Sequence, residues 1–186
     1  MKGFFLEFIY LIFRCFKKAY RISFVYIAKK NGLVIGKDSL LVGSQDFGSE
    51  PFLIEIGQKC LITDGVRFVT HDGSIQVPLI EKGASVESVY SHYSTFGKII
   101  LKDNVFVGVS AILLPNTEVG ENSIIAAGAI VKGKFPKNCV LAGNPAKIIC
   151  SIDDYYNKHC KKILELTNKT NRKEQILLFI NNRRAQ

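Results

Sequence analysis

The chain has no C-x-x-C spacing among its five cysteines (Cys15, Cys60, Cys139, Cys150, Cys160), so nothing suggests a zinc ribbon or a dithiol redox motif. An odd number of widely spaced cysteines reads as buried thiols in a reducing compartment. Proline is scarce, with 5 residues against 15 glycines, and a content of 47% hydrophobic and 22% charged residues excludes a disordered, collagenous or low-complexity chain. No run of about 18–20 apolar residues exists to span a bilayer. The stretch FFLEFIYLIF is broken by Glu7 and followed by Arg14, Lys17, Lys18 and Arg21. The charges follow the apolar stretch instead of preceding it and no small-x-small site appears, so the pattern is not that of a signal peptide, and a cytoplasmic location is expected. The middle of the chain also lacks positive charge. All of the net +9 lies in residues 1–30 and 151–186, and residues 31–150 carry ten Lys/Arg against eleven Asp/Glu. No nucleic-acid partner is expected, because no basic groove lies in the central region.

At 100° per residue, Glu7, Arg14, Lys17, Lys18 and Arg21 share an arc of about 100°, with Phe5, Phe8, Ile9, Ile12, Phe16 and Tyr20 on the far side. This basic amphipathic helix would either lie peripherally at a membrane interface through residues 1–30 or pack on protein; the sequence leaves both open.

The strongest signal is internal repetition. Leu101, Val107, Leu113, Val119, Ile125 and Val131 recur at intervals of six, and small or modest residues stand four places on, at Val105, Ala111, Thr117, Ser123 and Ala129. The same frame appears at Ile35 and Leu41, then at Ile56, Ile62 and Phe68. A period of six fits neither a helix at 3.6 nor a meander at two. It fits a triangular prism, in which each hexad gives one strand and one corner and three hexads close a turn, for three to four turns in all.

The stretch VFVGVSAILLPNTEVGENSIIAAGAIV at 105–131, followed by VLAGNPAKII at 140–149, resembles the hexapeptide-repeat acyltransferases, and is similar to the coenzyme-binding coils and closing turn of galactoside, maltose and polysaccharide O-acetyltransferases. The resemblance implies an all-β core, a left-handed parallel β-helix, flanked by an N-terminal amphipathic helix and C-terminal helices. The expected division is a basic helical segment at 1–32, the β-helix at 33–149 with a loop at 73–98, and a helical cap at 150–186. The family's active sites lie between subunits, so a homotrimer is expected.

The frame breaks between Leu41 and Ile56 and again between Phe68 and Leu101, so loops leave the prism at both places. The second break is long enough to be functional. It carries Tyr90, His92, Tyr93 and Phe96 among five serines, a set that suits a saccharide acceptor and would equally suit packing against another subunit. The frame turns His71 away from the core. Transfer of an acyl group from a thioester to a hydroxyl needs a base near neutrality, the ordinary range of histidine. The T-H-D-G segment at 70–73 resembles the one that carries the family's base, which assigns that role to His71. Asp72, read as an inward frame position, would orient the imidazole or turn the chain.

For the donor, acetyl-coenzyme A, the resemblance implies backbone contacts at Val109 and Ala127, a possible donor at Ser110, and phosphate contacts at Lys132 and Lys147. No metal is expected: the carbonic anhydrases that share the repeat need a close histidine pair, and His71, His92 and His159 offer none. The segment GAIVKGKF at 128–135 nearly spells a P-loop, but Phe135 replaces its hydroxyl residue and Ala129 and Val131 already serve the repeat. The expected function is O-acetylation of a saccharide, such as a capsule or O-antigen precursor. Acetylation of an aminosugar or antibiotic, or a non-catalytic trimeric scaffold, are the alternatives.

Overall fold

The computed structural model describes residues 2–166 and 171–184. Helix α1 (Lys2–Lys30) leads into short strands: β1 (Val34–Ile35), β2 (Leu40–Leu41), β3 (Ile54–Ile56), β4 (Leu61–Ile62), β5 (Arg67–Phe68) and β6 (His71–Asp72). Helices α2 (Gln76–Glu81) and α3 (Val86–His92) follow, then β7 (Thr95–Phe96), β8 (Ile99–Leu101), β9 (Val105–Val107), β10 (Ile112–Leu113), β11 (Thr117–Val119), β12 (Ser123–Ile125), β13 (Ile130–Val131) and β14 (Lys134–Phe135). The chain ends in the hairpin β15 (Cys139–Gly143) and β16 (Ala146–Ser151), then α4 (Ile152–His159) and α5 (Arg172–Arg184).

The strands form three faces. The first runs β1-β3-β8-β11-β14, the second β2-β4-β9-β12-β15-β16 and the third β5-β10-β13; all pairs within them are parallel except β15 with β16. Thr117 pairs with Ile99, Ser123 with Val105 and Ile130 with Ile112, an offset of 18 on every face, which is three hexads per turn. The rungs from Ile56 to Val131 are at most 1% exposed, and Val105, Ala111, Thr117, Ser123 and Ala129 are buried beside them. Each fully buried aliphatic contributes about 1.5–3 kcal/mol relative to an exposed one, so the ladder is the main source of cohesion. The first face has five layers, one more than the four hexad rungs Ile35, Ile56, Leu101 and Val119 supply, because Lys134–Phe135 adds a partial turn at the end. Between β11 and β14 the offset shortens to 16, with Glu118 opposite Lys134, which is why the six-residue frame stops after Val131.

The corners explain residues that a strand would not choose. Asn104, Asn122 and Asn138 all have positive φ, a region that asparagine tolerates better than most residues. Their amides form a ladder, with Asn104 Nδ2 donating to Asn122 Oδ1 at 2.9 Å and Asn122 Nδ2 to Asn138 Oδ1 at 3.2 Å. Gly108 is needed for another reason: a Cβ there would lie 2.4 Å from the backbone nitrogen of Ala127 on the next turn. Gly108→Ala is expected to lower stability by about 1–3 kcal/mol, read as a reduced urea midpoint, since the neighbour is backbone and cannot swing aside.

Among the described residues, the last turns of α1 pack on the prism core. Ala28 is buried, Phe24 and Val25 pack on the core, and Phe24, Phe47 and Phe68 stack at 5.9 and 5.4 Å between ring centroids. Cys15, on the exposed part of this helix, is exposed, which corrects the reading of all five cysteines as buried. The segment expected as loop 73–98 holds α2 and α3, anchored by buried Val89 and closed at its base by the antiparallel pair β6 and β7. Residues 153–186 form a separate compact unit. The apolar cluster Ile163, Leu164 and Leu166 follows α4 and lies outside both α-helices.

Candidate active site

The short hairpin of β6 and β7 fixes His71. His71 pairs with Phe96 and Asp72 with Thr95, and Gly97 N donates to Thr70 O at 2.9 Å. The imidazole is 43% exposed and its ring centroid lies 6.0 Å from that of Phe96, so one edge is open to a reactant.

The other edge meets a carboxylate from the first break in the frame. His71 Nδ1 is 2.8 Å from Glu50 Oε2, and the same oxygen accepts a hydrogen bond from Thr70 Oγ1 at 2.6 Å. Burial pushes the Glu50 carboxyl up, but the bonds from Thr70 and His71 and the charge of the imidazole outweigh it and hold the carboxyl below its ordinary value. An ionised carboxylate accepts only, so the proton of a neutral imidazole stands on Nδ1 and Nε2 keeps its lone pair. Nothing in the sequence pairs Glu50 with His71. The available signal was an acidic residue in an out-of-frame break directly before Pro51.

Asp72 is exposed and not inward, because the chain has already left the prism at β6. Its Oδ1 accepts from Ser74 N at 2.8 Å, which turns the chain, and the carboxylate on the imidazole is that of Glu50. The Ser74 N–H, then the Ser74 hydroxyl, hold the Asp72 carboxyl below its ordinary range, with Lys132 and His71 adding to the effect.

The residues assigned to the donor divide between two edges of the third face. Val109 and Ser110 follow β9 at the corner entering this face, and Ala127, 18 residues beyond Val109, stacks over them. Val109 is half exposed, Ala127 is exposed, Val109 O accepts from Gly128 N at 2.8 Å, and Ser110 has φ of 58°. Lys132 follows β13 at the corner leaving the same face, the one at which the chain departs toward His71. Lys147 is exposed on β16, opposite Ala142. Tyr90, His92 and Tyr93 are exposed at the C-terminal end of α3, where His92 Nδ1 lies 3.0 Å from Ser88 O. Phe96 is the aromatic of this segment that contacts the His71 ring. Cys60 lies inside the prism, 1% exposed. Among the described residues no cluster of three or more His, Cys, Asp or Glu could hold a metal ion.

A partly buried carboxylate, a histidine with a free nitrogen and an exposed corner of stacked backbone together suit proton removal beside a long, extended ligand. A family model for the bacterial transferase hexapeptide (six repeats) matches residues 98–133. The chain is 36% identical over 155 residues to Protein CapG of Staphylococcus aureus, covering 82% of this chain and 85% of that protein. It is 31% identical over 116 residues to galactoside O-acetyltransferase of Escherichia coli, covering 60% of this chain and 53% of that relative, about half its length. Among solved structures, AntD, an N-acyltransferase from Bacillus cereus in complex with dTDP-4-amino-4,6-dideoxyglucose and coenzyme A, matches with a TM-score of 0.52 at 22% identity, over 70% of this chain and 72% of that one, a likeness of fold. With an 18-residue strand register and a relative of this similarity along most of both lengths, the chain belongs to the bacterial hexapeptide-repeat transferases and is an enzyme of their acyltransferase class.

Proposed function

We propose that the protein moves an acetyl group from acetyl-coenzyme A to a hydroxyl of a saccharide, such as a precursor of a capsule, O-antigen or other surface polysaccharide, in the cytoplasm. The observation that carries this reading is the Glu50–His71 pair, which leaves Nε2 as a proton acceptor. The acceptor hydroxyl gives its proton to Nε2 while its oxygen bonds to the thioester carbonyl carbon. A backbone amide at the coil edge steadies the oxyanion, and collapse expels the thiolate of coenzyme A, which takes the proton from the imidazolium. No acyl-cysteine is required.

The donor would lie along the corner of Val109, Ser110 and Ala127, with Lys132 and Lys147 toward its phosphates, and the acceptor would meet Tyr90, His92 and Tyr93. In one chain the Val109 corner and the His71 corner stand at opposite edges of the third face. A site that includes both takes one edge from each of two copies, which supports a homotrimer of left-handed β-helices with sites between subunits.

Release of coenzyme A in a panel of saccharides, aminosugars and antibiotics tests the acceptor. Turnover with saccharide hydroxyls is expected. Turnover confined to amines would transfer the reading to an aminosugar or antibiotic acetyltransferase.

A further inference from the structure

We propose that α1 docks on an anionic membrane surface, with Phe8, Ile12, Phe16 and Tyr20 at the boundary of the acyl chains and Arg14, Lys17 and Lys18 near the headgroup phosphates. The first observation is which side of the helix the prism uses. Arg21 Nη1 donates to Gly43 O at 3.5 Å, and Phe24, Val25 and Ala28 pack on the core. At 100° per residue these four lie at about 240–340°, whereas Phe8, Ile12, Phe16 and Tyr20 lie at about 80–200°. The apolar side therefore faces almost directly away from the prism. Phe8, Ile12, Phe16 and Tyr20 are 55%, 39%, 70% and 68% exposed, and Phe13 beside them is 71% exposed.

Charge selects the occupant. Residues 1–30 hold seven Lys/Arg and one Glu, and no described helix is long and apolar enough to cross a membrane. Seven cations against one carboxylate complement an anionic lipid surface, whereas a second copy of the same segment offers no opposite charge. On the same wheel Arg14, Lys17 and Lys18 lie at about 260–360°, the arc that also holds Arg21, where they line a groove with Gly43 and Ser44. A helix is only about 10–12 Å across with its side chains, so their long stems carry the charges around its flanks toward a surface that takes up the apolar side. Aromatic side chains with cationic neighbours also match the chemistry of the interface.

The test is co-sedimentation of the full chain with vesicles of phosphatidylcholine alone or with about a third phosphatidylglycerol. Wild type should pellet with the anionic vesicles and stay in solution with the neutral ones. Arg14→Gln/Lys17→Gln/Lys18→Gln should lower partitioning by about a hundredfold. Ile12→Ser/Phe16→Ser should abolish binding without altering the melting temperature, because both side chains are exposed. Wild type left in the supernatant, or binding that neither variant changes, overturns the proposal. A change of oligomeric state in Ile12→Ser/Phe16→Ser without vesicle binding by wild type assigns the face to a second copy and overturns it equally. Coenzyme A release, followed on the same samples, separates failure of docking from failure of the acetyl-transfer reading.

Discussion

Replacing His71 by alanine is expected to slow acetyl transfer by about two to four orders of magnitude, the usual worth of a positioned general base. Affinity for acetyl-coenzyme A should stay within about twofold, because the contacts assigned to the donor are Val109, Ser110, Ala127, Lys132 and Lys147, and His71 is not among them. The melting temperature should also hold. The ring is 43% exposed and removes no rung of the ladder. Coenzyme A release under saturating donor, beside a thermal melt, reads both quantities. An equal fall in donor affinity and rate would make His71 a binding residue and remove the base from the mechanism.

Glu50→Gln is the more discriminating variant. The amide keeps the shape of the carboxylate but not its charge, and it can present an N–H to the ring where only an acceptor keeps the proton on Nδ1. A hydrogen bond to a charged group is worth about 1.5–3 kcal/mol, so kcat is expected to fall about tenfold to a hundredfold with KM little changed. Asp72→Asn should stay within about twofold, since that carboxylate bonds Ser74 and not the imidazole. A larger loss in Asp72→Asn than in Glu50→Gln would reverse the assignment. The same carboxylate carries a stability signature. Its folded value is depressed below the ordinary 4.5, so the unfolded chain binds that proton more tightly than the folded one. The stabilisation is complete above about pH 4.5 and is lost as pH falls through the lower folded value. Wild type should therefore lose stability on acidification more steeply than Glu50→Gln, and acid titration of the unfolding midpoint measures the difference.

The prism was legible because its rule is local: a rung every six residues buries one side chain per strand, and the aliphatics from Leu101 to Val131 obey it without interruption. Where packing no longer recurs at that interval, the reading weakened. Asp72 looked inward because the frame was counted past Phe68, but the chain leaves the stack at His71 to form a hairpin with Phe96. The helices of residues 76–92 were hidden because each is short and rests on little more than Val89. Glu50 was hidden for a different reason. Its partners Thr70 and His71 lie 20 and 21 residues away, and neither periodicity nor composition records a contact between two frame breaks. The amphipathic wheel of α1 was visible from sequence, whereas the side turned toward the prism needed the contacts of Arg21, Phe24, Val25 and Ala28.

The most direct test of the central claim, that this prism holds acetyl-coenzyme A and acts on it through His71, is a calorimetric titration of the donor into wild type and His71→Ala side by side. Binding by both with the same stoichiometry and similar affinity is the expected result, since His71 is assigned to the acceptor hydroxyl and not to the donor. Absence of binding to folded wild type would contradict it and leave a non-catalytic scaffold.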